Sequence, residues 1–448
     1  MSFFKAYDMR GRFEVDFTLD TVYRVGRWLP HILSATRILI GRDARLSSPA
    51  IREALCKGLI ESGCSIDDMG LSTTPMVYFF TAKEHYDASV QITASHNPAD
   101  HNGMKVSKRG ALPVGYDTGL AELQRRVESG ELPPRAETQG TCRAVDYREA
   151  FVAWLRTYKQ DLSNLTVVVD GSDGVAGILV PDLLGPQFSY LNMVPDGRFP
   201  HHAPNPLEVE NCAQLSACVV EKKADIGVIF DGDADRVMFV DEQGRFIQPD
   251  YLIPVIARYF LEKEPGATVI HDIRTSRGVI ETLREAGAHP LIGKVGHAYA
   301  KVLLRTSGAV CGGELAGHYY FRDFFCCDSG ELAALIVLNA VAHAKRNGIT
   351  LSQLIAPIMR YANSGEINFT ITDKAAAIAA LDPILKQFGT ICAESTLDGR
   401  RVEYADGWVN IRQSNTEPYL RLIAEATTPE LLALRLDRMR AILTPFTL

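Results

Sequence analysis

The 448-residue chain is short of the features that mark several common protein classes. It has no run of about 20 apolar residues, so the sequence predicts no membrane-spanning helix and no membrane partner. Its first residues, MSFFKAYDMRGRFEVDF, lack the apolar core of a secretory leader. It lacks a basic excess: 47 Lys and Arg face 54 Asp and Glu, a formal net charge of −7, and no nucleic-acid partner is expected. An anionic ligand must then be drawn by a few local Arg and Lys, because screening over about 8 Å hides remote charge. There are nine cysteines, an odd number with no Cys-x-x-Cys pair. That pattern predicts a reduced, cytoplasmic protein and excludes a disulfide scaffold or a cysteine zinc site. With 46% apolar and 23% charged residues, disorder as the main state is excluded as well.

The length exceeds what one core of about 250–300 residues can organise, and one pattern recurs. RILIGRDARLSSPAIREAL (37–55), LTVVVDGSDGVAGILV (165–180) and ATVIHDIRTSRGVIETL (267–283) each run from a β-branched stretch through a polar loop into a helical pattern. Short apolar runs bounded by turn residues read as buried strands, and repeated strand–loop–helix units predict α/β domains related by duplication. Three sheets with different strand orders would contradict that duplication. Breaks fall at 129–145 (Pro-rich and polar), near 247–251 and at 361–366. They divide the chain into 1–143, 144–248, 249–362 and a smaller α+β domain, 363–448. In this last domain the pattern predicts a strand (INFTIT), a helix over 374–387, two strands around 401–425 and a helix over 428–443.

Four motifs carry polar chemistry. TASHNP (93–98) follows an apolar run and presents Ser95, a possible nucleophile just past a strand end, although Ser, His and Asn also serve as turn residues. No Gly-x-Ser-x-Gly elbow surrounds it. DGDADR (231–236) sets Asp231, Asp233 and Asp235 at alternate positions, where three carboxylates can converge on a hard cation such as Mg²⁺, Mn²⁺ or Ca²⁺. A calcium hand is disfavoured, because Arg236 takes the place of the glycine that such a loop needs. GGELAGH (312–318) offers Glu314 and His318 to sugar hydroxyls. RQSNTEPYLR (412–421) groups Arg412, Ser414, Asn415 and Thr416, a suitable cradle for phosphate or an ordinary capped hairpin. Tyr7, Arg10, Lys105, Arg274, Lys294 and His297 surround these motifs, and each alone reads as a surface charge or a satisfied polar residue.

Together, in this order and one per domain, the four motifs resemble the α-D-phosphohexomutase family, nearest to its bacterial phosphomannomutase and phosphomannomutase/phosphoglucomutase branch. The resemblance covers essentially the whole chain, from KAYDMRG onward. It implies an α/β fold of four domains around a central cleft, three related mixed-sheet domains followed by a smaller α+β one. It implies a reversible exchange of hexose 6-phosphate and hexose 1-phosphate, mannose first and glucose also, for carbohydrate metabolism such as GDP-mannose supply. By the same resemblance Ser95 is the phosphorylated serine, and Asp231, Asp233 and Asp235 hold Mg²⁺ with the serine phosphate. Arg236 stands beside them. Glu314 and His318 bind sugar, and Arg412, Ser414, Asn415 and Thr416 bind the phosphate that is not being transferred. Lys105 and His297 are the proton-transfer candidates, and Tyr7, Arg10, Arg274 and Lys294 line the cleft. A hexose 1,6-bisphosphate activator and a monomer or weak homodimer are expected. Ala316 stands where this branch commonly has Ser, Ala234 where Gly is frequent, and Glu417 where some relatives have Thr. Ala316 leaves the choice among hexoses open, and phosphoglucosamine mutase or phosphoglucomutase of the same family is the alternative. A metal-dependent phosphatase would need a water-activating base that no motif supplies. A non-catalytic binding protein would be expected to lose Ser95 or an acidic ligand.

Overall fold

The computed structural model of the chain describes residues 3–414 and 419–447. The β-branched stretches of the three repeated units form strands buried along nearly their whole length: Arg37–Arg42, Val167–Asp170 and Thr268–Asp272. Each opens a set of four strands. The first set continues with Ser65–Leu71, Ala88–Ile92 and His101–Lys108, and the second with Ser189–Leu191, Ile226–Phe230 and Val237–Asp241. The third continues with His289–Gly293, Cys311–Gly313 and Tyr319–Phe321. In all three sheets the order is fourth–third–first–second. The first three strands are parallel and the fourth is antiparallel to the third. Parallel neighbours require crossover connections. Helices Thr74–Lys83, Ala213–Lys222 and His297–Ser307 supply the crossover from second strand to third. The shared order is the one that duplication requires.

This topology places the motifs. In each sheet the hairpin between the third and fourth strands lies at the carboxyl end of a parallel strand, where open α/β sheets present their ligand sites. That hairpin is 93–100 in the first domain, 231–236 in the second and 314–318 in the third. The serine motif, the acidic motif and the glycine-rich motif thus occupy one topological position three times over.

A single apolar cluster runs through the first three domains and joins Phe79 and Phe80, Phe151, Phe230, Phe260 and Phe324 to the buried helix Gly330–Arg346. The last domain has its own core, built from Leu381, Val402, Ile411, Leu422 and Met439. Its sheet contains Ile367–Thr370, Ile391–Ser395, Arg400–Tyr404, Gly407–Gln413 and Tyr419–Ala426, with helices Lys374–Leu385 and Pro429–Leu443 packed together. Three strands therefore cover 400–426, where the sequence pattern predicts two. A fourth, Ile391–Ser395, is an edge strand with no buried face. Cys142–Ala144 adds a strand to the first sheet, so the polar break at 129–145 ends inside it. Among the described residues no helix is long and apolar enough to cross a membrane.

Candidate active site

Ser95 is buried, in a left-handed backbone conformation with φ of 49°. Such a conformation in a non-glycine residue persists only where surrounding contacts enforce it. The enforcing contact is Arg45, fully buried on the loop after the first strand. Its guanidinium donates to the carbonyls of Ser95, Asn97, Pro98 and His101 at 2.5 to 2.9 Å, and its Nε donates to Asp43 at 3.0 Å. So held, Ser95 Oγ reaches across to the second domain and donates to Asp231 Oδ2 at 2.7 Å. Its other neighbour is His96 Nδ1 at 3.3 Å. The two hairpins pass so close that a Cβ on Gly232 would lie 2.6 Å from the Ser95 carbonyl oxygen, which is why that position has no side chain.

Asp231, Asp233 and Asp235 are fully buried and each offers an oxygen within 4.8 Å of the others, a group that could hold a metal ion. Ala234, at φ 63°, gives the loop the turn that makes the carboxylates converge. Lys105, from the fourth strand of the first sheet, donates to Asp233 Oδ2 at 2.7 Å and also to Asp235. Thr74, at the start of helix Thr74–Lys83, donates its hydroxyl to Asp233, and its N–H donates to the Asp233 carbonyl at 3.0 Å. Asp233 Oδ1 and Asp235 Oδ1 remain buried with no hydrogen-bond partner. Orphaned carboxylate oxygens at the centre of an all-oxygen set fit a hard divalent cation. Burial, with repulsion from Asp233 and Asp235, raises Asp231 well above the usual carboxylate range. Burial pushes Asp233 the same way, but Lys105 and Thr74 outweigh it and hold its pKa below that range. Burial lowers Lys105, and Asp233 and Asp235 more than restore it, so its ammonium lies above the usual lysine value.

The third hairpin is stitched to the second. Arg236 and His318 form an antiparallel backbone bridge, and Arg236 Nε donates to His318 Nε2 at 2.9 Å. His318 Nδ1 lies 2.7 Å from Asp328, which also pairs with Lys301 at 2.8 Å. Both ring nitrogens of His318 are thereby engaged. Glu314 accepts from Tyr320 at 2.6 Å and from the Gly296 N–H at 3.3 Å. His297, at the start of its helix, has a buried Nδ1 without a partner, and its ring lies 5.8 Å from Tyr7 and 5.9 Å from His318. Burial, helped by Lys301, holds it well below the usual histidine value, so the ring is neutral. Tyr7 donates to the Val295 carbonyl at 3.2 Å, and Arg10 donates to Asn97 of the serine loop at 2.8 Å. Lys294 is exposed, its ammonium 5.5 Å from the Tyr299 ring, and it borders a small cavity with Asp272 and Glu314.

Where the third and fourth domains join, Arg274 is fixed by Asp272 at 2.7 Å and reaches Glu366 at 3.2 Å. Arg412 and Arg421 contact the same carboxylate at 3.1 and 2.8 Å. Arg412 lies on strand Gly407–Gln413 itself and Ser414 just past it, while Asn415 and Thr416 lie outside the described residues. The structure thus adds Asp43, Arg45, Thr74, Lys301, Asp328, Glu366 and Arg421 to the residues singled out by sequence. One signal was available: Asp43-Ala-Arg45 and Asp272-Ile-Arg274 follow equivalent strands, and both arginines turn back onto their own aspartate.

Comparison with known proteins identifies the family. Four domain signatures of phosphoglucomutase/phosphomannomutase match in order: alpha/beta/alpha domain I over residues 1–133, domain II over 145–244, domain III over 248–361 and the C-terminal domain over 366–442. A phosphomannomutase of Salmonella montevideo is 38% identical over 452 residues, covering 96% of this chain and 98% of that one. The crystal structure of a phosphoglucomutase/phosphomannomutase family protein from Burkholderia thailandensis superposes with a TM-score of 0.88 at 31% identity, over 99% of this chain and 97% of that one. The fold extends to N-acetylphosphoglucosamine mutase of Aspergillus fumigatus, solved with GlcNAc-6P and magnesium, at a TM-score of 0.63 and 14% identity over 98% of this chain and 95% of that one. The chain belongs to the phosphoglucomutase/phosphomannomutase family and is a phosphohexomutase, an isomerase of carbohydrate metabolism.

Proposed function

We propose that the chain is a phosphomannomutase, interconverting mannose 6-phosphate and mannose 1-phosphate, and glucose phosphates as well, through phospho-Ser95. The observation that carries this reading is the 2.7 Å contact from Ser95 Oγ to Asp231 in a pocket of three buried carboxylates. Phosphoryl transfer is chiefly positioning and charge stabilisation. Asp231, Asp233 and Asp235, with the serine phosphate, would hold Mg²⁺. When bound there, Mg²⁺ supplies positive charge that offsets the charge on the phosphoryl oxygens.

The phosphorus–oxygen bond of phospho-Ser95 breaks as a free hexose hydroxyl takes the phosphoryl group, leaving a hexose 1,6-bisphosphate. The hydroxyl proton passes to His297, whose Nδ1 is buried and unpartnered, and the departing Ser95 oxygen takes up one proton in exchange, so that the serine hydroxyl is restored. Lys105, against Asp233 and Asp235, donates to the oxygens of the travelling group. Arg236 fixes His318, and Glu314 and His318 border the sugar with Tyr7, Arg10 and Lys294. Arg412, Ser414, Asn415 and Thr416, with Arg274, anchor the other phosphate. The bisphosphate then turns end for end and returns its second phosphoryl group to Ser95, and added bisphosphate activates by recharging a dephosphorylated Ser95. The enzyme acts in the cytoplasm as a monomer or weak homodimer, with domain limits near those read from the sequence.

Phosphorus NMR of mannose 1-phosphate, glucose 1-phosphate and glucosamine 1-phosphate, each with Mg²⁺ and a trace of the matching 1,6-bisphosphate, tests the reading. The expected result is conversion to the 6-phosphate, fastest for mannose. Fastest conversion of glucosamine phosphate would overturn the sugar assignment, and free phosphate alone would overturn the mutase.

A further inference from the structure

Three aromatic residues follow one another along the fourth strand of the third sheet, Tyr319–Phe321, and all three are fully buried. Tyr319 donates its hydroxyl to the Pro249 carbonyl at 2.7 Å, and Phe321 has no hydroxyl to give. Side chains alternate along a strand, so Tyr320 points to the opposite face, into an apolar group with Ile270, Ala300, Leu304 and Cys326. Its hydroxyl donates to Glu314 Oε1 at 2.6 Å. Burial, with Glu314 adding to it, raises the Tyr320 phenol well above its ordinary pKa, so it keeps the proton it donates. A short O–H···O bond to a carboxylate is of the strong, charge-assisted kind.

The three duplicated sheets can be compared at this place. The residue facing the last-but-one position of the third strand is Lys105, opposite Gln91, in the first sheet. It is Met238, opposite Ile229, in the second, and Tyr320, opposite Gly312, in the third. Lys105 donates to Asp233 and Asp235. Tyr320 donates to the carboxylate of its own hairpin. One position of the repeated unit thus supplies a donor to a carboxylate of the cleft twice.

Glu314 is buried, and its two oxygens are held from different sides. Tyr320 holds Oε1, while Oε2 accepts from the Gly296 N–H at 3.3 Å and lies 3.7 Å from Arg274. Burial raises the Glu314 pKa and Asp272 adds to it, while His318, Arg274 and the Tyr320 hydroxyl act against the rise. The terminal torsion of a glutamate is soft, so its partners set the plane of the carboxylate, and the contact with Tyr320 is the shortest of these three. Each carboxylate oxygen has two acceptor directions, which leaves room for a sugar hydroxyl.

We propose that Tyr320 is a specificity-determining positioning residue: from behind the sugar loop its hydroxyl aims the Glu314 carboxylate at one hydroxyl of the hexose, and so sets how strictly the enzyme demands that hydroxyl. The inference rests on Glu314 meeting the sugar, as assigned above. Tyr320 acts through Glu314.

Tyr320→Phe removes one oxygen and keeps the ring, including its stacking 6.1 Å from the His318 ring. The test is steady-state kinetics with mannose 1-phosphate and its 2-, 3- and 4-deoxy analogues, for wild type, Tyr320→Phe, Glu314→Gln and the double variant. The ratio of kcat/KM between parent and analogue is read on one sample, so the folded fraction cancels. Wild type should convert one analogue about 100-fold less well than the parent, because a buried carboxylate is then left without its partner. In Tyr320→Phe that one ratio should shrink about tenfold, through a higher KM for the parent sugar, with the other ratios unchanged. In Glu314→Gln it should shrink as well, and adding Tyr320→Phe should shrink it no further. A Tyr320→Phe enzyme that keeps the wild-type ratio, or slows equally on every sugar, overturns the inference while Glu314→Gln still upholds the sugar contact. No analogue penalised in the wild type, or a ratio untouched by Glu314→Gln, overturns the sugar contact and the inference together.

Discussion

Two charged clusters in this protein have the same composition with the signs exchanged. Between the first and second domains, Asp231, Asp233 and Asp235 surround the ammonium of Lys105. At the junction with the fourth domain, Arg274, Arg412 and Arg421 surround the carboxylate of Glu366. Each cluster gathers three side chains of one sign around a resident counter-charge, and in the basic one Arg274 is paired with Asp272 as well. Their surroundings differ. The acidic cluster sits in hairpins backed by the apolar core that the first three domains share, with Ser95 locked by Arg45. The basic cluster straddles two separately cored units. The comparison teaches that the proposed phosphoryl-handling group is fixed, whereas the proposed anchor is assembled across a seam.

The acidic cluster should break most severely. Asp233→Asn removes an anionic ligand and the partner of Lys105 and Thr74. Turnover should fall about 100-fold and the Mg²⁺ concentration for half activity should rise at least about tenfold. An unchanged Mg²⁺ titration would place the metal elsewhere. The basic cluster should break differently. Arg412→Ala loses a charge-assisted contact of about 1.5–3 kcal/mol. KM should then rise roughly 10–100-fold with kcat little changed, because an anchor is used at every stage. A fall in kcat at constant KM would put Arg412 on the travelling phosphoryl group instead.

The smallest effect concerns His271, buried beside Asp272 at the base of the basic cluster. Burial, with Arg401 adding to it, holds this histidine down to about 4, against an ordinary 6.5. Below pH 6.5 the unfolded chain takes up a proton that the folded one refuses, so stability falls as pH drops from 6.5 toward 4. The loss through this group is about 0.8 kcal/mol at pH 6. His271→Gln lacks it, so its melting-temperature deficit against wild type should shrink as the pH is lowered through that window. A constant deficit would mean that His271 is charged in the fold.

The acidic cluster was legible in the sequence because its carboxylates are consecutive alternate residues on one hairpin, and the duplicated strand order followed from the three repeated stretches. The basic cluster was only half legible. Glu366 is 92 residues from Arg274 and 46 from Arg412, and only the fold brings the three together. A lone Glu beside a break has no pattern to reveal it. Arg45 was missed for another reason: the Asp-x-Arg turn that it shares with Arg274 was in plain view, but its four carbonyl partners are backbone groups, which no side-chain motif announces. The edge strand Ile391–Ser395 went unread because it has no buried face, so no alternation of apolar residues marks it.

The most direct test is to incubate the protein with glucose 1,6-bisphosphate and Mg²⁺ and locate any phosphoryl group by tandem mass spectrometry, with Ser95→Ala in parallel. Expected is phosphate on Ser95 in the wild type, transferred to added mannose 1-phosphate, and none on the variant. Mutase turnover by a Ser95→Ala protein, or release of inorganic phosphate with Ser95 never modified, would contradict the assignment of Ser95 as the carrier.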